Sequence, residues 1–191
     1  MRIISGNFKN KKLFEPSDNY TRPLKDLVKE SIFNIIEHSK LIKFKIENCE
    51  VLDLFSGSGS FGLECISRGA KKVLFCENHI PVTKILNKNI ANLKCKKNTD
   101  IYIEDVFKLL NDKSFLINKF QIIFLDPPFK EKKIEELLEN LNKSNILDKE
   151  GIVILHRNKK YKDELPQKFK VILEKNLRTI KNNIWIFLIF S

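Results

Sequence analysis

An α/β fold built on a doubly wound, mostly parallel sheet is what this sequence predicts, on three observations. From residue 51 onward short apolar runs alternate with stretches of helical periodicity, the connections between them are short, and a glycine-rich turn divides the first run from the helix after it. Alternating βα units of this kind put helices on both faces of the sheet and ligands at the carboxyl ends of its strands. The 191 residues suffice for one domain with a sizeable core, and the 42% hydrophobic content is that of a folded chain.

Residues 1–20 read as a basic N-terminal arm, and residues 21–191 as the domain that follows it. In the arm, Arg2-Ile3-Ile4-Ser5-Gly6 and Lys12-Leu13-Phe14 flank a polar stretch with Asn7, Lys9, Asn10 and Lys11, a pattern that predicts a hairpin. Thr21-Arg22-Pro23 opens a helix, proline suiting the first turn, with Leu27, Val28, Ile32, Phe33, Ile35 and Ile36 on its apolar side. The first strand covers residues 51–55, and the helix after the glycine turn carries Phe61, Leu63, Cys65 and Ile66 and stops at Gly69. A strand over 73–76 leads to a helix started by Pro81 and carrying Val82, Ile85, Leu86, Ile90 and Leu93. Strands follow over 101–103, 122–125 and 152–155, with Ile134, Leu137, Leu138 and Leu141 at helical spacing between the last two. Two more strands, over 170–173 and 184–190, close the chain as an antiparallel hairpin that Lys181-Asn182-Asn183 could join.

The longest apolar stretch, residues 184–190, is far shorter than the ~20 residues of a membrane helix, and Met1-Arg2-Ile3-Ile4-Ser5-Gly6 lacks a signal-peptide core, so a cytoplasmic protein without membrane contact is expected. Cys49, Cys65, Cys76 and Cys95 are widely spaced with no Cys-x-x-Cys pair, which indicates neither a zinc site nor a disulfide framework. His38, His79 and His156 are scattered, so each reads as structural or solvent-facing and no metal is expected. A net charge of +11 favours a polyanionic partner. The same excess would arise from an AT-rich coding sequence, since 30 of the 35 basic residues are Lys. The five arginines, Arg2, Arg22, Arg68, Arg157 and Arg178, are more telling, because a planar fork cannot be replaced by a point charge. Arg157 follows a strand end on the ligand side of the sheet and is placed with the candidate nucleic-acid contacts.

Gly57-Ser58-Gly59-Ser60-Phe61-Gly62 satisfies G-x-G-x-x-G between a strand and a helix, with Glu77 standing 20 residues beyond Gly57. Taken alone the turn fits a nicotinamide dinucleotide equally well. Asp53 within the strand and the Phe55-Ser56 lead-in favour instead a cofactor that carries an ammonium group and no phosphate, as S-adenosylmethionine does. The cofactor residues read from this region are Asp53, Phe55, Gly57, Gly59, Glu77 and Asp105. Glu77 can accept both ribose hydroxyls or cap the helix near Pro81, and Asp105 can reach an adenine amine or serve as N-cap for 106–110.

Behind the run 122–125 stands Asp126-Pro127-Pro128-Phe129. It offers a carboxylate, a stiffened carbonyl at Pro127 and an aromatic face at Phe129, which together can hold a planar base by its exocyclic amine. That amine is a poor nucleophile because its lone pair is delocalised into the ring. Accepting hydrogen bonds from its protons favours a pyramidal nitrogen and frees the pair for in-line attack on a sulfonium methyl. Alone, such a tetrapeptide can be a mere turn after a strand. Combined with the glycine turn and the acidic strand ends in this order, it points to amino-group methyl transfer with Asp126, Pro127, Pro128 and Phe129 as the catalytic residues and no metal.

The run from Asp53 to Glu64, followed by Ser67-Arg68-Gly69-Ala70, resembles the signature of the bacterial 16S ribosomal RNA guanine-N2 methyltransferases of the RsmD type. The arm resembles that family too, through Arg2-Ile3-Ile4-Ser5-Gly6, Lys12-Leu13, Pro16, Thr21-Arg22-Pro23 and Phe33-Asn34-Ile35, so the likeness spans essentially the whole chain. It implies a Rossmann-like class I methyltransferase fold, S-adenosylmethionine as cofactor, and one guanine of a 16S rRNA loop as target, in an assembled or assembling small subunit. A base in a loop can be reached without opening a duplex. By the same resemblance Arg2, Lys9, Lys11 and Lys12 would contact RNA, Thr21 and Arg22 would close over the cofactor and the base, and the protein would act as a monomer. The chain departs from the family pattern at Asn10-Lys11, where Gly-Arg is usual, and at Leu24, Leu27 and Lys29, where Thr, Arg and Arg are more usual. A Lys in place of Arg keeps phosphate docking and loses bidentate contacts. Three other readings share parts of the pattern. An adenine-N6 DNA methyltransferase would use the same tetrapeptide but usually carries an added recognition region, a nicotinamide-dependent oxidoreductase leaves the tetrapeptide unexplained, and a non-catalytic assembly factor leaves Asp53, Glu77 and Asp126 unexplained.

Overall fold

The computed structural model describes residues 1–16, 24, 26–128, 130–158, 160, 163–176 and 183–190. Strands β1 (Glu50–Leu54), β2 (Lys72–Cys76), β3 (Thr99–Tyr102), β4 (Phe120–Leu125), β5 (Leu147–Asn158), β6 (Phe169–Asn176) and β7 (Asn183–Phe190) form one sheet in the order β3-β2-β1-β4-β5-β7-β6. The pairs from β3 to β5 are parallel, and β7 runs antiparallel between β5 and β6. The connection between β6 and β7, with Arg178, Lys181 and Asn182, lies outside the described residues. Chain order proceeds from β1 through β2 to β3 on one side and resumes at β4 on the other, so the topological switch point falls between β1 and β4.

The strands are apolar at nearly every position because both faces are covered. Val51, Val73, Phe75, Ile122, Phe124, Ile152 and Ile154 pack with α1 (Asp26–His38), α2 (Ser60–Ser67) and α3 (Ile80–Leu93). Their neighbours Leu52, Leu54, Leu74, Cys76, Ile123, Leu125, Val153 and Leu155 pack with α4 (Val106–Leu109) and α5 (Ile134–Ser144). Side chains alternate across a strand, so a sheet with two buried faces erases the polar half of the alternation. The parity also assigns the polar exceptions. Asp53, Asp126 and His156 continue the Val51, Phe124 and Ile154 series and therefore stand on the α1–α3 side, at the carboxyl ends of their strands.

Several elements differ from expectation in extent. β5 begins at Leu147 and β6 runs from Phe169 to Asn176, both longer than their apolar centres. In α1, Leu27 is exposed, whereas Val28, Ile32, Phe33 and Ile36 are buried as the periodicity requires. The N-terminal stretch folds back through one antiparallel bridge between Arg2 and Lys12, supported by hydrogen bonds from Ile3 N to Lys11 O and from Leu13 N to Met1 O. It is seated on the domain: Ile3 and Leu13 enter the α1–α3 core, and the Ile4 and Ser5 amides donate to the Glu64 carboxylate of α2 at 2.7 and 2.9 Å.

Candidate active site

A cavity of about 500 Å³ opens at the carboxyl ends of β1, β2 and β4. The turn after β1 supplies Phe55, Ser56, Gly57 and Ser58, the end of β2 supplies Glu77, and β4 supplies Phe124 and then Asp126, Pro127 and Pro128. Pro16 and Leu24 border it from the N-terminal stretch. Its floor is aromatic, since Phe61 of α2 stacks on Phe124 with centroids 3.9 Å apart and planes 7° from parallel. The volume is that of a small-molecule site.

Asp53 sits beneath the turn with 1% exposure. Its Oδ2 accepts a hydrogen bond from Gly62 N at 2.9 Å, while its Oδ1 is buried with no hydrogen-bond partner among the described residues. Ser56 Oγ, another lining group, is in the same condition. Burial pushes the Asp53 carboxyl well above the usual carboxylate range, the Gly62 amide pulls it down, and the Asp126 and Glu77 charges raise it further. Buried acceptors left without donors are costly, so the site suits a ligand bearing N–H donors and positive charge. The turn is shaped for close approach: Phe55 holds φ +59, and a Cβ built on Gly62 would lie 2.4 Å from Phe75 Cε1 and 2.7 Å from Val73 Cγ1. The third glycine therefore allows α2 to press onto β2.

The remaining sequence-derived residues divide. Gly57 lines the cavity with open space beyond it, whereas Gly59 turns inward toward Leu86 and does not line it. Glu77 bridges the two motifs: one carboxylate oxygen accepts from Gly57 N at 2.9 Å and the other from His79 N at 2.8 Å, at the start of α3. Asp105 is the N-cap of α4, accepting from Phe107 N at 2.9 Å, and is not a lining residue, so its carboxylate is engaged as a cap. Pro127 is buried and Pro128 exposed, the latter's carbonyl accepting from Glu131 N in the following turn. Phe129, Thr21 and Arg22 lie outside the described residues.

Asp126 has a partner that the sequence did not announce. His156 Nδ1 lies 2.6 Å from Asp126 Oδ1, with the imidazole almost fully buried. The scattered histidine looked structural, yet strand register gives the signal that could have found it. Leu125 pairs with Leu155, so the next residue of each parallel strand stands at the same level.

Among the basic residues, Lys9, Lys11 and Lys12 are exposed, and Arg2 is exposed while facing Asp26 at 3.5 Å. Arg157 corrects the expectation of an RNA contact. It is 1% exposed, forms a two-pronged ion pair with Asp163 at 2.6 and 2.8 Å and donates to the Glu131 carbonyl, so it ties β5 to the neighbouring loops. A buried cationic cluster was also missed. Lys29, fully buried, donates to the Arg2 carbonyl and to Ser60 Oγ and lies 3.6 Å from Glu64, which Arg68 Nε also reaches. Burial lowers the Lys29 ammonium from its ordinary range, and Glu64 and Asp26 pull it back up. All four cysteines are buried thiols, Cys49 pushed up to about 11 and Cys76 to about 12 by burial. Among the described residues no group of three or more His, Cys, Asp or Glu could hold a metal ion, and no helix is long and apolar enough to cross a membrane.

A sheet in this order, with a glycine turn after β1, an acidic residue closing β2 and Asp-Pro-Pro after β4, defines a Rossmann-like fold of the class I methyltransferase kind. Among solved structures, yhhF from Escherichia coli, described as a methyltransferase, matches 100% of this chain and 98% of its own length at TM-score 0.81 and 27% identity. The ribosomal RNA small subunit methyltransferase D of Haemophilus influenzae is 31% identical over 192 residues, 97% of this chain and 93% of its own. Its counterpart in E. coli is 33% identical over 153 residues, 80% of this chain and 72% of its own. The sequence model of the family described as conserved hypothetical protein 95 matches residues 1–186, and the chain belongs to that family, the RsmD-type methyltransferases.

Proposed function

We propose that this protein transfers a methyl group from S-adenosylmethionine to the exocyclic N2 of one guanine in 16S rRNA of the small ribosomal subunit, in the cytoplasm. The observation that carries the reading is that one cavity is lined by acids of different burial, Asp53 at 1% exposure under the glycine turn and Asp126, its side chain 18% exposed, after β4. S-adenosylmethionine supplies an electrophilic methyl when bound, and it needs no metal. The residues fit it: Asp53 Oδ1 and Ser56 Oγ are acceptors that an amino-acid ammonium would satisfy, and Glu77, whose oxygens each accept one backbone amide, would accept ribose hydroxyls on its remaining lone pairs. A nicotinamide dinucleotide would leave Asp126, Pro127 and Pro128 on the cavity wall without a task.

Asp126 accepts a hydrogen bond from the base amine, holds the nitrogen pyramidal and stabilises the positive charge that develops there as the new C–N bond forms and the C–S pair returns to sulfur. The amine proton then passes to the Asp126 carboxylate and from it to solvent. Phe61 and Phe124 give the cavity a stacked apolar wall. The exposed Lys9, Lys11 and Lys12 would offer phosphate contacts. Incubating the protein with labelled S-adenosylmethionine and small subunits from a strain lacking the modification tests the assignment. Label in N2-methylguanosine at one 16S position is expected. Label in another nucleoside, or none with the donor bound, contradicts it.

A further inference from the structure

We propose that His156 is a positioning residue for methyl transfer, its imidazole Nδ1 fixing the Asp126 carboxylate toward the amine of the base; the inference rests on the reading above. The geometry is short and enclosed: Nδ1 to Oδ1 is 2.6 Å, with the His156 side chain 3% and the Asp126 side chain 18% exposed. An Nδ1–H donor directed at a carboxylate is a charge-assisted hydrogen bond, stronger and more directional than a neutral one. It ties one carboxylate oxygen and so removes free rotation about the Cβ–Cγ bond of Asp126. A carboxylate that must meet an N–H of a bound base gains from that restriction, since misplacement by about 1 Å can cost about a hundredfold in rate.

The backbone holding His156 is itself fixed on both sides. β5 pairs with β4 through Leu155 and Leu125, and with β7 through His156 and Trp185 and through Arg157 and Ile184. One residue on, Arg157 locks to Asp163 and to the Glu131 carbonyl, which anchors the loop just beyond Asp126-Pro127-Pro128. The imidazole thus reaches Asp126 from an interior strand. Strand parity puts both on the face that carries Asp53, so a donor on Asp126 also offsets the repulsion of two acids that share a cavity.

The test compares wild type, His156→Asn and His156→Phe with labelled S-adenosylmethionine and unmethylated small subunits. The Asn amide can donate from the δ position and Phe cannot. His156→Phe is expected to lower kcat at saturating substrates by roughly 10- to 100-fold, with the donor's Kd, measured without RNA, within about twofold, and His156→Asn to recover most of the loss. A folded His156→Phe protein with kcat near wild type overturns the proposal, as does an Asn variant no better than Phe. Should the Phe variant fail to fold, His156→Leu takes its place: a comparable fall in kcat with the donor's Kd held supports the proposal, and kcat near wild type refutes it. A wild type that binds the donor yet methylates no rRNA refutes the proposed function instead.

Discussion

At the scale of single residues, Asp53 ties stability to function. Its carboxyl is raised well above 3.8 in the folded state, chiefly by burial. Below pH ~4 both states hold the proton; as pH climbs, the unfolded chain releases it first, so folding stability falls until the raised folded value is passed. Asp53→Asn should therefore leave the ligand-free protein's stability near wild type at pH 4 and raise it toward neutrality, by roughly 1–3 kcal/mol, as read by denaturant melts across pH. The same change should weaken S-adenosylmethionine roughly 10- to 100-fold in titration calorimetry, a charge-assisted bond having been lost. Asp53, Glu77 and Asp126 were legible because acids at strand ends beside a glycine turn are chemically conspicuous. His156 was not, because a lone histidine inside an apolar strand has no local pattern, and its meaning exists only across the β4–β5 pairing. Arg157 misled for a related reason: position at a strand end says nothing of the Asp163 carboxylate six residues on that draws it inward.

At the scale of elements, the N-terminal stretch is clamped to α2 by a buried polar cluster. Glu64, fully buried, accepts from Ile4 N, Ser5 N and Arg68 Nε, with the Lys29 ammonium 3.6 Å away. Ser67 adds a donor to the Ser5 carbonyl and accepts from Phe8 N. The seating leaves no room at Gly6, where φ is +78 and a Cβ would lie 1.8 Å from the Ser67 carbonyl oxygen. Gly6→Ala should destabilise the protein by about 2 kcal/mol, a fall in Tm of roughly 4–8 °C, and speed amide exchange at Ile4, Ser5 and Phe8. Unaltered exchange at those amides would show that the stretch is not held this way. The sequence pattern foresaw a basic hairpin but not its docking, since nothing local to Lys29 or Glu64 tells that the two meet when α1 and α2 are packed together. A buried Lys–Glu pair is a tertiary fact that helical periodicity only hints at.

At the scale of the whole molecule, a mostly parallel sheet covered on both faces, a C-terminal antiparallel hairpin and a site at the strands' carboxyl ends followed from alternating apolar runs and one glycine turn, whereas the strand order emerges only from the pairing itself. Element ends did not follow either: β5 and β6 extend beyond their apolar centres, because strand pairing recruits polar residues such as Asn158 and Glu174 that carry no β signature. The net charge of +11 also belongs to this scale. Replacing Lys9, Lys11 and Lys12 together by Gln should weaken small-subunit RNA binding and lower the slope of log affinity against log salt by up to ~3 units, about one per lost phosphate contact. A slope equal to that of wild type would mean these lysines touch no phosphate and the charge excess is compositional.

The central claim is a division of labour between two acids in one cavity, and Asp126→Ala tests it most directly. Methyl transfer to small-subunit RNA and the donor's Kd are measured on the same preparation. The account predicts loss of turnover to about a hundredth or less, with donor affinity within about twofold of wild type. Undiminished turnover, or a loss explained by failure to bind the donor, would contradict it.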